Sequence, residues 1–389
     1  MKYSKIPGAS IVWFSYVTTG IFSLLLAGFL SLPEDYAINL TSFLLLTVGH
    51  IFVFSGLLIG HRLMTNVSTQ KSQIPLTTSR RYYFLAILVY ALLIPQIDLH
   101  VLGNPISNNN PRFIEGITEI ISRYLLPAFV YQYIISNAEN VEPTITRIKK
   151  NIFRLVLIIS IVWTIYIDVA IKGSKHIVFT YILILLLANS KARFMKPLHW
   201  IGTFILVVIV FGYITLTRLS PQDPFSVDKF SLVSDPLVFL AQTIYIRLVG
   251  ISELSSLLKY DLPWITFNIP VGHEYALANL YTQSVHGIPI GGTHTSAPGF
   301  LGFFLFAFGY SGLLGCIPFG LLISLLYRIS MSHENRLRGE AITSLLFSYL
   351  LIDGGLDERM FSLFLVKLYL LYFVISFLSE KRLVKKYFY

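Results

Sequence analysis

Charged residues are scarce in this chain, and their scarcity excludes most classes of soluble protein. Asp, Glu, Lys and Arg together make up 13% of the 389 residues, whereas soluble domains carry roughly 25%. Hydrophobic residues make up 54% of the chain, and its mean hydropathy is +0.68. This composition predicts an all-α, polytopic integral membrane protein, because a helix satisfies its own backbone hydrogen bonds inside a bilayer.

The basic residues lack the distribution of a nucleic-acid footprint. The formal net charge is +10, but Lys and Arg recur in short clusters between apolar blocks, whereas a nucleic-acid interface gathers them on one face. We expect these clusters to orient the chain in a bilayer, and we expect no nucleic-acid partner.

Cysteine and the common cofactor motifs are also nearly absent. The single cysteine, Cys316, lies in an apolar block, so the chain has no internal disulfide and no cluster of thiolates for a metal. The histidines contain no His-x-x-x-His pair, and the sequence has no P-loop and no Gly-x-Ser-x-Gly element. We therefore expect no metal and no cofactor, and these absences argue against an enzyme that uses a soluble nucleotide.

Long apolar runs, in contrast, are abundant. A helix needs about 20 mostly apolar residues to cross a bilayer, and ten runs approach or exceed that length. The first follows Lys2 and Lys5 without a small-residue cleavage site, so we expect it to remain as a span. The ten predicted spans are roughly 10–32, 38–60, 82–97, 117–136, 152–171, 176–190, 199–217, 299–327, 341–353 and 361–379.

The clusters of Lys and Arg give the predicted spans an orientation. If the N-terminus is cytoplasmic, most of the 30 Lys and Arg residues fall on the cytoplasmic side, as the positive-inside rule requires. Both termini are then cytoplasmic. This topology predicts spans 1–7 in residues 1–217, a large periplasmic loop with amphipathic helices in 218–298, and spans 8–10 with a basic cytoplasmic tail in 299–389.

The interval from Arg218 to Pro298 is the longest polar stretch, and we interpret it as the working part of the protein. Asp235 to Tyr260 places apolar residues at helical spacing and predicts an amphipathic helix, or a helix pair, lying at the membrane interface. After Pro263 the sequence predicts irregular chain as far as Gly292.

Five cations are predicted to lie near the outer membrane face. They are Arg123, Arg218, Arg247, Arg359 and Lys367. Charged residues within spans are costly and usually face a cavity or a partner. Because Arg binds phosphate oxygens with two parallel hydrogen bonds, this group favours an anion at headgroup depth, such as a lipid-borne pyrophosphate.

A simpler interpretation of these cations remains open. Each could contact phospholipid headgroups, and some have acidic neighbours in the sequence. The possible ion pairs join Arg123 to Glu115 or Glu119, and Arg359 to Asp353 or Asp357.

His294 is the first candidate for a general base. It lies in Gly291-Gly292-Thr293-His294-Thr295-Ser296-Ala297-Pro298, directly before an apolar run, and an imidazole exchanges protons near neutral pH. Alternatively, the hydroxyls of this segment cap the following helix and His294 only lies at the interface. Other possible bases are His273, His286, Glu253 and Glu274.

The order of these features resembles the O-antigen polymerase (Wzy) family. That family commonly has an Arg-Leu-Ser-Gly-like element in its large loop, followed by a Phe-Gly-x-x-Gly-x-x-Gly-like helix. Arg247-Leu248-Val249-Gly250 is similar to the first element, with Val249 in place of Ser, and Phe308-Gly309-Tyr310-Ser311-Gly312-Leu313-Leu314-Gly315 is similar to the second. Glycines at this spacing also occur where helices pack closely.

The resemblance implies a metal-independent glycosyltransferase of the bacterial inner membrane. Its substrates would be oligosaccharide repeat units on undecaprenyl pyrophosphate, which it would polymerise at the periplasmic face. By position, Arg218 and Arg247 would hold the donor pyrophosphate and His294 would orient or deprotonate the acceptor hydroxyl, while Arg123, Arg359 and Lys367 would support substrate binding. Membrane lipids, a chain-length regulator and a flippase are the implied partners.

Other functions also fit parts of the sequence. The related O-antigen ligases share the layout and would join finished polymer to lipid A core. A lipid-linked oligosaccharide flippase or transporter would place charge throughout a central cavity, whereas intramembrane charge is sparse here. A ten-span acyltransferase predicts Arg or His near the inner end of the first span, and residues 2–10 contain neither.

Overall fold

The computed structural model describes eleven main stretches of the chain and a few isolated positions between 195 and 238. The stretches are residues 6–29, 39–63, 76–96, 117–118, 120–138, 147–167, 176–193, 250–267, 277–287, 299–332 and 336–352. Within these residues every regular element is helical and no strand is present. The predicted all-α class is therefore confirmed for the described part of the chain.

The α-helices are numbered here in chain order. They are α1 (Ala9–Tyr16), α2 (Ser23–Phe29), α3 (Leu40–Leu63), α4 (Leu76–Leu93), α5 (Leu126–Ala138), α6 (Arg147–Tyr166), α7 (His176–Ala192), α8 (Gly250–Leu257), α9 (Leu277–His286), α10 (Gly299–Phe308), α11 (Gly312–Ser332) and α12 (Arg336–Ile352). Two π-helical segments, Val17–Phe22 and Ile121–Leu125, lead into α2 and α5. Two 3₁₀ segments, Ile94–Gln96 and Gly309–Ser311, follow α4 and α10.

Three stretches of the described residues are long and apolar enough to cross a membrane by length and composition. They are Ala9–Gly28, Leu40–Leu63 and Gly299–Ser330. Four shorter apolar helices lie at Tyr83–Leu93, Arg154–Tyr166, Thr180–Lys191 and Gly339–Ile352. These helices are consistent with an α-helical membrane protein, whereas ten spans and a periplasmic loop remain predictions.

The chain divides into two compact units. The first unit contains Met1–Lys71, Tyr245–His333 and Leu346–Tyr389, and the second contains Ser72–Ile244 and Glu334–Leu345. The two helices described in the long polar interval, α8 and α9, therefore belong to the same unit as α1–α3 and α10–α11.

In the first unit, α1 packs antiparallel against α3 through polar contacts between apolar helices. The hydroxyl of Tyr16 lies 3.1 Å from Oγ1 of Thr47, and Nε2 of His50 lies 3.2 Å from Oγ of Ser15. Nδ1 of His50 lies 2.8 Å from the carbonyl oxygen of Leu46. These polar groups pair with one another because an unpaired group would be costly in an apolar surrounding.

The closest helix contact in this unit joins α3 to α11. A Cβ on Gly56 would overlap the carbonyl oxygen of Ile317, and one on Gly320 would overlap the carbonyl oxygen of Val53. A Cβ on Gly60 would in turn crowd Ser324. The residue numbers of the contacting pairs increase in the same direction along α3 and α11. The two helices therefore run parallel. Small residues four apart on each helix allow the backbones to approach in this way.

The apolar run predicted as a single span over 299–327 is a helical hairpin in the structure, so that prediction was wrong in its geometry. In one straight helix Phe300 and Phe319 would lie about 28 Å apart along the axis, but their ring centroids are 6.2 Å apart and nearly stacked. The chain reverses at Gly309, which has a φ of +68°. With 21 residues, or about 31 Å, α11 is long enough to cross a bilayer without α10. The first residues of α10 lie beside Phe319 of α11.

The second unit is built around α5 and α7. Both helices bury apolar side chains, including Leu126, Ala128, Ile177 and Ile184. At the end of α7, Lys191 forms an ion pair with Glu340 and lies 5.6 Å from the centre of the Tyr131 ring. On α6, Nε of Arg154 donates to the hydroxyl of Tyr133 over 3.1 Å.

Candidate functional site

The first element of the site is α8, a short helix that docks onto the beginning of α3. Ile251, Leu254 and Leu257 recur every three residues and are buried. Oγ of Ser255 lies 2.6 Å from Oγ of Ser42. Because Glu253 and Ser255 are buried as well, the described helix is covered on more than its apolar face. A helix is thus confirmed at Gly250–Leu257, whereas its place at the membrane interface stays a prediction.

The second element is α9, a helix in a stretch that the sequence predicted to be irregular. It runs from Leu277 to His286, and Tyr281 fixes it to α10. The Tyr281 ring is fully buried and meets the rings of Phe303 and Phe306 edge-on, with centroids 6.2 Å and 5.5 Å away. The irregular-chain prediction missed this helix because its apolar positions form only a short pattern.

Glu253 of α8 forms a polar cluster with Tyr281 and His286 of α9. Nε2 of His286 lies 2.6 Å from Oε2 of Glu253. The hydroxyl of Tyr281 donates to the main-chain oxygen and to Oε2 of Glu253, over 2.9 Å and 3.0 Å. Because a carboxylate only accepts hydrogen bonds, Nε2 carries the proton in this pair. The cluster can orient an imidazole, and it also ties α8 to α9.

Burial, together with its acidic partner, keeps Tyr281 in its neutral form. Burial, followed by the negative charge of Glu253, raises the pKa of Tyr281 well above its ordinary value of 10.0. The phenol therefore remains a hydrogen-bond donor to Glu253 throughout the physiological pH range.

The segment 261–267 lies on the turn between α10 and α11 and is held there by backbone hydrogen bonds. The amides of Tyr310 and Ser311 donate to the carbonyl oxygens of Pro263 and Trp264 over 3.2 Å and 2.9 Å, and the amide of Thr266 donates to Phe308 over 3.3 Å. A Cβ on Gly309 would overlap the carbonyl oxygen of Pro263. The glycine at 309 is therefore required both by its positive φ and by this close approach.

A cleft of about 560 Å³ opens between this segment and α9. Its lining combines aromatic, polar and apolar residues. The aromatic residues are Tyr260, Phe267 and Phe306, the polar residues are Asp261, Thr266 and Ser284, and the apolar residues are Leu257, Leu262, Pro263, Leu280 and Val285. The two walls are joined by a hydrogen bond of 3.0 Å from the hydroxyl of Tyr260 to the carbonyl oxygen of Val285. The volume lies within the range of ligand pockets, roughly 300–1,000 Å³.

Three large apolar side chains of the segment 261–267 are exposed, and one of them, Phe267, also lines the cleft. Trp264, Ile265 and Phe267 are 80%, 79% and 75% exposed. The Trp264 ring centroid lies 5.6 Å from that of Tyr310. Trp and Tyr side chains are typical of the headgroup region of a bilayer.

Of the six residues predicted to form the site, the structure describes Arg123. It lies in the π-helical segment Ile121–Leu125 of the second unit and is half-buried, between the buried Ser122 and Tyr124. Arg218, Arg247, His294, Arg359 and Lys367 lie outside the described residues, so their predicted convergence stays a prediction. Glu115 and Glu119, the predicted partners of Arg123, lie outside them as well.

The sequence analysis treats two of the residues that the structure brings together as separate candidates for a general base. Glu253 and His286 were both possible bases, and Tyr281 was not selected. A short helix that ends at His286 could have been recognised from Gly287, since glycine commonly follows the last residue of a helix. Among the described residues, no group of three or more His, Cys, Asp or Glu side chains is placed to hold a metal ion.

The described residues are thus all-helical and consistent with an α-helical membrane protein, and they form a polar cluster and a cleft in the first unit. No family model matches the chain, and no curated protein and no solved structure matches it.

Proposed function

We propose that the protein is a membrane glycosyltransferase that polymerises undecaprenyl-pyrophosphate-linked oligosaccharide repeat units into O-antigen or a similar surface polysaccharide. It would act at the periplasmic face of the bacterial inner membrane, with both termini in the cytoplasm. The proposal rests on the resemblance of the loop and glycine elements to the O-antigen polymerases, and on the contacts that the chain after the loop element makes with the glycine element.

One observation supports it best: the chain that follows the loop element docks onto the glycine element. Residues 263–266 form backbone hydrogen bonds with Phe308, Tyr310 and Ser311, and α8, which begins at Gly250 directly after Arg247-Leu248-Val249, packs against α10. Glycine at 309 admits this contact. We infer that the Phe-Gly-x-x-Gly-x-x-Gly element holds the loop in position for the reaction.

In the proposed reaction, a hydroxyl oxygen of the acceptor sugar attacks the anomeric carbon of the donor chain. The bond between that carbon and the pyrophosphate oxygen breaks, and undecaprenyl pyrophosphate leaves with the electron pair. Arg218 and Arg247 would stabilise the charge of the leaving pyrophosphate, and His294 would take the hydroxyl proton. Arg123, Arg359 and Lys367 would assist binding. Because the donor is already activated, positioning and charge stabilisation supply the catalysis.

The test is reconstitution of purified protein with synthetic undecaprenyl-linked repeat units, followed by separation of the products by length. We expect a ladder of polymers from the wild type and single repeats from Arg247→Ala. Arg247→Lys is the matched control, since it keeps the charge but loses the paired hydrogen bonds to phosphate, and we expect it to retain partial activity. A normal ladder from Arg247→Ala at normal expression would contradict the assigned role.

The same assay separates the alternative functions. A ligase would leave the units unpolymerised and would transfer finished polymer to added lipid A core. A flippase would move lipid-linked units across the vesicle membrane and form no glycosidic bond. Either result would overturn the proposal.

A further inference from the structure

The cleft beside α9 has a chemistry that does not suit the pyrophosphate of either substrate. Asp261 contributes a carboxylate, and the lining residues that the structure describes include no Lys or Arg. A phosphate group placed there would be repelled by Asp261 and would meet no cation. The donor pyrophosphate therefore belongs elsewhere.

The cleft is equally unsuited to a lipid tail. Part of the lining is apolar, but Asp261 and Ser284 are exposed to water at the cleft. An isoprenoid or acyl chain placed there would cover this carboxylate and this hydroxyl and offer them no hydrogen bond in return. Aromatic residues interleaved with hydroxyl and carboxylate groups match a ligand that has both apolar C–H faces and many hydroxyls. A saccharide is such a ligand.

We propose that this cleft binds the glycan of the acceptor, through a non-anionic saccharide segment. Tyr260 and Phe267 offer rings on which a sugar ring can pack, and the Asp261 carboxylate accepts hydrogen bonds from sugar hydroxyls. The inference rests on the proposed function for the source of the saccharide. It assigns the acceptor glycan to the cleft, whereas the donor pyrophosphate is assigned to the cations.

The walls of the cleft are fixed before any ligand arrives. Tyr260 is hydrogen-bonded to Val285, residues 263–266 are anchored on the turn at Gly309, and α9 is tied to α8 by His286 and Glu253. Pre-organised walls reduce the ordering entropy of binding. This matters for a saccharide, whose exposed hydroxyls exchange water hydrogen bonds for protein hydrogen bonds with little net gain.

The test uses single repeat units without lipid, prepared by hydrolysing the surface polysaccharide of the cell that encodes the chain. Saturation-transfer NMR with the protein in lipid nanodiscs reports weak binding directly. We expect transfer to sugar protons in the wild type, and an affinity at least tenfold lower in Tyr260→Ala and in Asp261→Ala. Tyr260→Phe keeps the ring but loses the hydrogen bond to Val285, so it should bind less tightly than the wild type and more tightly than Tyr260→Ala. Lys259→Gln, at an exposed residue outside the lining, should bind as the wild type does.

Three outcomes overturn the inference: no transfer to the glycan, equal binding in Tyr260→Ala and Asp261→Ala, or displacement of the glycan by isoprenyl phosphate in equimolar amount. Failure of the proposed function gives a different result. If the cleft variants weaken glycan binding but the wild type forms no polymer, the cleft assignment stands and the polymerase assignment falls. If polymer forms and the cleft variants leave the KM for acceptor unchanged, the polymerase assignment stands and the cleft assignment falls.

Discussion

The imidazole of His286 and the carboxylate of Glu253 lie 2.6 Å apart although 33 residues separate them in the sequence. Their side chains are 16% and 6% exposed, so little water reaches the pair. A buried carboxylate without partners is unfavourable, and the pair therefore links the positions of α8 and α9.

Removing His286 should destabilise the first unit. In His286→Ala the Glu253 carboxylate keeps only the Tyr281 hydroxyl among the partners described above, and we expect a loss of about 1–3 kcal/mol in unfolding free energy. Thermal unfolding in detergent measures this. The control is the double variant Glu253→Met/His286→Leu, which removes both polar groups and should recover most of the loss, since Tyr281 still donates to the main-chain oxygen of residue 253.

Turnover of the same double variant separates a structural tie from proton transfer. Because the proposed base is His294, we expect near-normal polymerisation from the folded double variant and none from His294→Ala. Loss of turnover in a stable double variant would instead move the base to His286.

Alkaline pH should weaken the contribution of Tyr281. Its pKa is raised in the folded state, so its stabilisation is complete below the unfolded pKa of 10.0 and falls as pH rises towards the folded pKa. Between these values the loss is about 1.4 kcal/mol per pH unit. Unfolding of the wild type and Tyr281→Phe from pH 8 to 11 measures the difference, in which the other tyrosines cancel. A difference that stays constant above pH 10 would contradict the prediction.

Gly309→Ala should release the segment 261–267 from the turn between α10 and α11. The substitution places a side chain at positive φ, which costs about 1–3 kcal/mol, and also collides with Pro263. Gly287→Ala is a matched control, because Gly287 has a φ of +66° and open space around its Cβ position. Hydrogen exchange at residues 264–267 should rise in Gly309→Ala and remain unchanged in Gly287→Ala. Equal exchange in both variants would show that the close approach is unimportant.

Trp264 should lie in the headgroup region of the membrane. A variant in which Phe replaces the other three tryptophans, Trp13, Trp163 and Trp200, isolates its fluorescence. We expect strong quenching by lipids brominated near the headgroup, weaker quenching by lipids brominated near the chain end, and little by aqueous iodide. Strong iodide quenching with no bromine effect would place Trp264 in water. The Ile265→Ser variant should reduce the bromine effect, since it removes an apolar neighbour of the same exposed surface.

The helices are the part of the fold that the sequence predicts well. The runs predicted at 38–60 and 176–190 correspond to α3 and α7, because an apolar run of this length identifies a helix whatever its partners are. The pattern Gly56-x-x-x-Gly60 could also have indicated the close contact with α11. The helix partner at Gly320 could not be identified, since no local pattern selects it.

The reversal at Gly309 and the polar cluster were not predictable, because each depends on distant chain. A glycine inside an apolar run is usually tolerated in a straight helix, and the turn is set by the docking of residues 263–266. Similarly, the sequence identifies Glu253 and His286 as titratable residues of the loop, but their pairing requires the positions of α8 and α9. The cations of the predicted site lie in several segments that are far apart in the sequence. Whether they meet in space therefore also depends on how distant parts of the chain pack.

The parallel contact between Gly56 and Gly320 also has a consequence for biogenesis. During synthesis at about 5–20 residues per second, the ribosome needs roughly 10–50 s to pass from one glycine to the other. Throughout that interval the glycine face of α3 meets lipid, or the insertion machinery, in place of its final neighbour. The membrane insertion of α3 and its assembly are therefore separate events, and the second waits until α11 has been made.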